Sequence, residues 1–88
     1  MTCKIERLVS GEHVAVLRVC GVIDSENLDT LREALGREKG RVAIDLSEVM
    51  LVDREAVTLL DISEANGIEL RNCPSYIREW VTRERQFR

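Results

Sequence analysis

A single residue, Asp53, divides the stretch 41–67, RVAIDLSEVMLVDREAVTLLDISEANG, into two segments of different period, and this change limits the possible folds more than any other feature of the chain. Before it, Val42, Ala43, Ile44 and Leu46 form a short apolar run, as expected of a strand buried on both faces. After it, Ala56, Val57, Leu59, Leu60 and Ile62 recur at helical spacing until Asn66-Gly67, a left-handed stop. Asp53 then reads as the helix N-cap, its carboxylate accepting backbone N–H bonds that would otherwise be unpaired. Glu55 adds negative charge near the positive end of the helix dipole.

The rest of the chain supplies elements that fit around this unit. Residues 2–9 alternate as a strand with Cys3 and Ile5 on one side, Ser10-Gly11-Glu12 is a turn, and His13 to Val19 resumes as a second strand, predicting an antiparallel hairpin. The segment 17–24 ends at an acidic cap, Asp24. From Ser25 a helix follows, with Leu28, Leu31, Ala34 and Leu35 on one stripe, and stops near Gly36. After the central unit come a short edge strand, 68–71, and a last helix opened by Pro74 and Ser75, with Ile77, Trp80 and Val81 as its apolar face and fraying past Arg83.

The expected fold is therefore α/β: a four-stranded mixed sheet, an N-terminal antiparallel hairpin followed by parallel βαβαβ, with helices mainly on one face and a C-terminal helix. Eighty-eight residues allow one domain spanning 1–88 that buries roughly 60–65% of its unfolded surface. If the strands lie in sequence order, the sheet has no point of reversal, which is where open α/β sheets usually form a ligand crevice. The topology thus argues against an enzyme.

Composition excludes several classes. No apolar run approaches the ~20 residues of a membrane span, and Met1-Thr2-Cys3-Lys4-Ile5-Glu6 has an acid where a signal peptide would turn apolar. Cys3, Cys20 and Cys73 are odd in number and widely spaced, with His13 the one histidine, so neither a disulfide framework nor a zinc site is expected, and the thiols suit a reducing cytoplasm. The net charge is −3; in residues 71–88 five arginines against two glutamates leave +3, so the first 70 carry −6. That tail lacks the dense basic stripe with interleaved aromatics of a nucleic-acid binder. A Ser-His-Asp or Cys-His set would need His13, in a hairpin at the sheet edge. Asp24, Asp45 and Asp53 lie near the C-terminal ends of parallel strands, either as ligands for a divalent cation or as two helix caps and a loop tether. No cofactor is implied.

The pattern of an apolar strand, Asp45-Leu46-Ser47, the triplet Met50-Leu51-Val52, Asp53, two residues, a small residue and an apolar one opening a helix resembles the centre of a STAS domain, the fold of bacterial anti-sigma factor antagonists. Gly21-Val22-Ile23-Asp24, at the expected distance upstream, matches a second motif of that family. The resemblance covers residues 3 to 82 and implies a non-enzymatic regulatory protein that docks an anti-sigma factor or serine-kinase-like partner, or a sensor assembly containing one. In that family the turn reads Asp-Ser-Ser-Gly-Leu, and the partner kinase phosphorylates the hydroxyl residue directly after Asp. This chain reads Asp53-Arg54-Glu55-Ala56-Val57: both hydroxyl positions are charged residues and Ala56 replaces the glycine. The resemblance therefore implies a retained fold and a lost phosphorylation switch, with Asp24, Asp53, Arg54, Glu55, Ala56 and Val57 as the partner-binding set. Arg54 would pair with Glu55 or with an acidic partner. Two alternatives stand beside it: a self-associating structural protein whose apolar strands and Trp80 helix meet a second copy, and an anion or small-molecule sensor at the helix N-termini near Ser25 and Arg54.

Overall fold

The computed structural model describes residues 3–11 and 13–87. Its elements are β1 (Cys3–Val9), β2 (Ala15–Ile23), α1 (Leu28–Gly36), β3 (Val42–Val52), α2 (Arg54–Ala65), β4 (Glu69–Arg71) and α3 (Ser75–Gln86). The strands lie in sequence order, β1-β2-β3-β4, with β1 antiparallel to β2 and the other neighbours parallel. This is the four-stranded mixed sheet expected from the sequence.

One continuous apolar core joins Val19, Ile23, Ile44, Leu46 and Val49 of the sheet to Leu28 and Leu31 of α1, Ala56, Val57 and Leu60 of α2, and Ile77 and Val81 of α3. All three helices therefore pack on one face, as right-handed crossovers between strands in sequence order require. On the other face, register sets Glu6 beside Arg18, Arg18 beside Asp45, and Asp45 beside Arg71, a row of alternating charge across the sheet. Next to that row Val14, Val16 and Ala43 form a small apolar cluster.

The central strand departs from the short run read in the sequence: β3 is 11 residues long and continues to Val52. Its pairing with β2 slips twice, between Arg18 and Cys20 and between Gly21 and Val22, and each slip gives β3 one more residue than its partner. A bulge of this kind reverses which parity of side chain points inward. Hence Ile44, Leu46 and Val49 are all buried and Val52 packs against the core, although their spacings are two, three and three. Gly21 lies between the two slips at φ 97°, a left-handed conformation that side chains with a Cβ adopt only under strain.

Other boundaries differ from those read in the sequence. His13 is not a strand residue; at φ 63° it stands in the hairpin turn, its N–H donating to Ser10 O, and β2 begins at Ala15. Thr2 and Glu12, read as strand and turn, lie outside the described residues. Helix α3 does not fray past Arg83 but runs to Gln86. Its last turn is anchored by Arg85, which donates to Asp61 Oδ1 at 3.0 Å and to Glu64 Oε1 at 2.6 Å on α2. Arg78 forks onto the same Glu64 at 2.8 and 2.9 Å. The two guanidinium groups, Arg78 first, hold the Glu64 carboxyl down to about 2 against the opposing effect of burial.

Candidate partner-binding site

The turn between β3 and α2 is organised by the Asp53 carboxylate. Asp53 itself is extended (φ −102°, ψ 179°), the conformation that lets a side chain fold back over the helix start. Oδ1 accepts the Ala56 N–H at 2.9 Å and Oδ2 accepts the Ser25 N–H at 2.9 Å, while the Asp53 N–H donates to Ile23 O at 3.1 Å. The first bond is the N-cap read from the sequence. The other two tie this turn to the one after β2, so a residue expected to cap one helix also fixes the relation of two loops.

Asp24 has a matching role at the end of the neighbouring strand, β2. Its Oδ1 accepts the N–H groups of Glu26 and Asn27 at 3.1 and 3.2 Å, and Asn27 Nδ2 donates to Val22 O. The chain therefore makes a closed turn over 25–27 before α1 starts at Leu28, rather than entering the helix at Ser25. Asp45 Oδ1 accepts the Ser47 N–H at 2.9 Å, the tether role, and its Oδ2 lies 3.7 Å from Arg18 Nε. Burial pushes the Asp45 carboxyl up, but the Ser47 bonds, Asn72 and Arg18 together outweigh it and the net direction is down. Among the described residues no three His, Cys, Asp or Glu side chains come together in a way that would hold a metal ion.

Of the six residues expected to bind a partner, two face outward. The Arg54 side chain is 80% exposed at the first position of α2, and its Nε lies 3.3 Å from Glu84 Oε1 of α3. Its ion pair is thus with the last helix rather than with Glu55. Glu55 is exposed and, among the described residues, has no cation within ion-pair distance. Ala56 and Val57 correct the sequence-based expectation: both are fully buried in the core, because helical periodicity turns these positions toward the sheet. Their side chains hold the helix and present nothing to a partner. Asp24 and Asp53 are half-buried and engaged with backbone N–H groups. The hydroxyl residues nearby are Ser25 and Ser47, both exposed, and Thr58, whose Oγ1 donates to Arg54 O.

Residues outside the expected set also lie around the turn. Leu59, Thr58 and Ile62 on the outward side of α2, with Glu55 and Arg32 of α1, line a groove of about 480 Å³ that begins at the turn. Beyond Asp53 on the strand side, Met50 and Leu51 are 73% and 54% exposed, and Tyr76 Oη donates to Met50 O. Helical spacing alone puts Ile62 with the apolar stripe, and the apolar character of the triplet gives no sign that the second bulge of β3 turns Met50 and Leu51 out. Trp80, expected on a self-association face, packs partly buried against the core.

This arrangement of sheet and helices is the fold of a STAS domain. A crystal structure of an antisigma-factor antagonist, the STAS domain from Rhodobacter sphaeroides, matches with a TM-score of 0.58 at 22% sequence identity, over 78% of this chain and 83% of that one. No protein-family model matches the sequence, and no curated protein matches it. No helix of the described residues is long and apolar enough to cross a membrane.

Proposed function

We propose that this chain is a non-enzymatic regulatory binding module that works as anti-sigma factor antagonists do, docking a protein partner through the Asp53 turn and the helix after it. The observation that carries this reading is the turn itself: a carboxylate bonded to two backbone N–H groups holds Arg54 and Glu55 outward at a rigid helix start, beside an apolar groove. A rigid loop with adjacent charged and apolar surface suits protein recognition, and no step of chemistry is needed. The partner is of the anti-sigma factor or serine-kinase-like class, and the setting is the bacterial cytoplasm.

Regulation differs from that of a phosphorylated relative. A phosphoryl group adds roughly 1.5 to 2 negative charges at the helix start. Arg54 carries a fixed positive charge there and no hydroxyl, so the contact is constitutive with respect to modification at this position. The test is affinity capture of the tagged chain and of an Arg54→Glu/Glu55→Lys variant from lysate of the source organism. Recovery of an ATP-binding kinase-like protein by the unaltered chain, lost in the variant, supports the reading. Equal recovery by both would remove the turn from the interface.

A second reading, self-association, is favoured by the adjacent exposed side chains of Met50 and Leu51. Sedimentation equilibrium distinguishes it: a mass that doubles with concentration and reverts in Leu51→Lys would support a dimer through this end of the sheet.

A further inference from the structure

At the end of the sheet opposite the Asp53 turn, the β1–β2 hairpin and the loop between α1 and β3 enclose a second hollow, of about 420 Å³. Its wall carries Arg7, Arg37, Lys39 and Arg41, with His13 at one side and Glu38 as the single carboxylate among the described residues. Four cations converge in a protein whose net charge is −3. Glu38, only 9% exposed, takes Arg7 in a two-pronged bond at 2.8 and 3.1 Å and fixes it at the rim. Arg37 reaches Glu33 loosely, at 3.9 Å. Lys39 and Arg41, both exposed, have no carboxylate within ion-pair distance among the described residues.

The C-terminal dipole of α1 accounts for a cation in its last turn or just beyond, which is Arg37. It does not account for Lys39 and Arg41 turned toward the same space. Grouping like charges costs free energy in the empty protein, and an anion in their midst would offset it. The loop is held in place from below, since the Ala15 N–H donates to Arg41 O at 3.0 Å and ties the start of β2 to the residue before β3. The backbone that carries Arg41 is therefore tied to β2.

We propose that this hollow binds a multiply charged phosphate anion, with Lys39 and Arg41 as its principal contacts and Arg7 and Arg37 closing the sides. The volume is within the range of small-ligand sites. Among the described residues the wall has no Phe, Tyr or Trp, and its apolar residues are the small Val9 and Ala15, so what it offers a ligand is chiefly positive charge. The recognised chemistry is a run of phosphoryl groups, carried by a free polyphosphate or by a phosphorylated lipid headgroup. The site is independent of the Asp53 turn, and its failure would leave the docking reading intact.

The experiment is calorimetric titration of the full chain with inorganic triphosphate at low ionic strength, repeated on Lys39→Ala/Arg41→Ala and on Lys4→Ala/Arg83→Ala. The second variant removes the same charge from exposed positions outside the hollow. The expected result is saturable binding that weakens by about tenfold or more in the first variant, as loss of two charge-assisted contacts implies, and by less than about twofold in the second. Absence of binding at millimolar triphosphate, or equal weakening in both variants, overturns the proposal. Vesicles containing phosphoinositides separate the sources. Retention on them that triphosphate releases assigns the lipid headgroup, and triphosphate binding without retention assigns the free anion. Retention that triphosphate never displaces, or that Lys39→Ala/Arg41→Ala leaves unchanged, counts against the hollow.

Discussion

The two ends of the sheet are both rimmed by charge, yet the charges do different things. At the C-terminal end of the parallel strands, the carboxylates of Asp24 and Asp53 accept from the N–H groups of Glu26, Asn27, Ser25 and Ala56. At the N-terminal end, Lys39 and Arg41 have no such partners among the described residues and are exposed around a hollow. The difference follows from what the backbone offers at each end. Strand C-termini feed helix N-termini, which supply unpaired N–H donors within reach of a short acidic side chain. Helix C-termini feeding strands supply carbonyls, and long basic side chains reach past them into water. Carboxylates at the first end become structure, while cations at the second remain available for a ligand.

If the Asp53 end is a scaffold and the basic end a surface, substitutions should fall in a definite order. The largest loss is expected where the scaffold meets the core: Leu60→Ala, at a fully buried position of α2, should cost about 2–5 kcal/mol in urea denaturation. A loss below half a kcal/mol would mean that α2 does not pack as described. Next comes Asp53→Ala, which strands two backbone donors and should cost about 1–3 kcal/mol, with Asp53→Asn retaining some of the cap. Should Asp53→Ala be neutral, the contrast between the two ends would collapse.

The attachment of α3 lies between these extremes. Glu64→Gln weakens the fork to Arg78 and the bond to Arg85, and should lower stability by about 1–2 kcal/mol. Its folded carboxyl sits at about 2, against about 4.5 for an unperturbed glutamate. The contribution is therefore complete above about pH 4.5, declines as the pH falls below that value, and is lost by about pH 2. In Glu64→Gln the fall in melting temperature between pH 5 and 2 should be shallower than in the unaltered chain; parallel curves would remove Glu64 from the acid response. The smallest effect is expected for Arg54→Ser. That exposed pair with Glu84 should be worth less than about half a kcal/mol, so the variant should melt within about 4 °C of the parent. If the docking surface is intact, Arg54→Ser should accept phosphate from the kinase-like partner while the unaltered chain does not, which mass spectrometry of the turn would report.

Much of this is legible without any coordinates, and the reason is local. The N-cap at Asp53, the start of α2 and its end at Gly67, φ 97°, follow from side chains acting within three or four residues of themselves. The hairpin, the strand order and the helices on one face follow from periodicity joined to the handedness of crossovers. What escapes is non-local. The bulges of β3 arise from pairing with β2, and they alone decide that Val49 and Val52 turn inward while Met50 and Leu51 turn outward. Helix α3 gains its last turn from Arg85 reaching Asp61, 1% exposed, and Glu64 on another helix. A partner-binding set of consecutive residues overlooks that a helix shows a partner only one side of itself. Ala56 and Val57 are therefore buried in the core, while Leu59 and Ile62 line the groove beside the turn.

The amino-acid order by itself determined the number and kind of elements, the cap at Asp53 and the replacement of a hydroxyl by Arg54, since each depends on neighbours in the chain. Tertiary structure alone decided that Asp53 also holds Ser25, that Arg54 meets Glu84, and that cations from a strand, a helix end and a loop enclose one hollow. These contacts join residues about 30 positions apart, and no periodicity along a chain encodes which of many compatible side chains the packed sheet will bring within about three ångströms of one another.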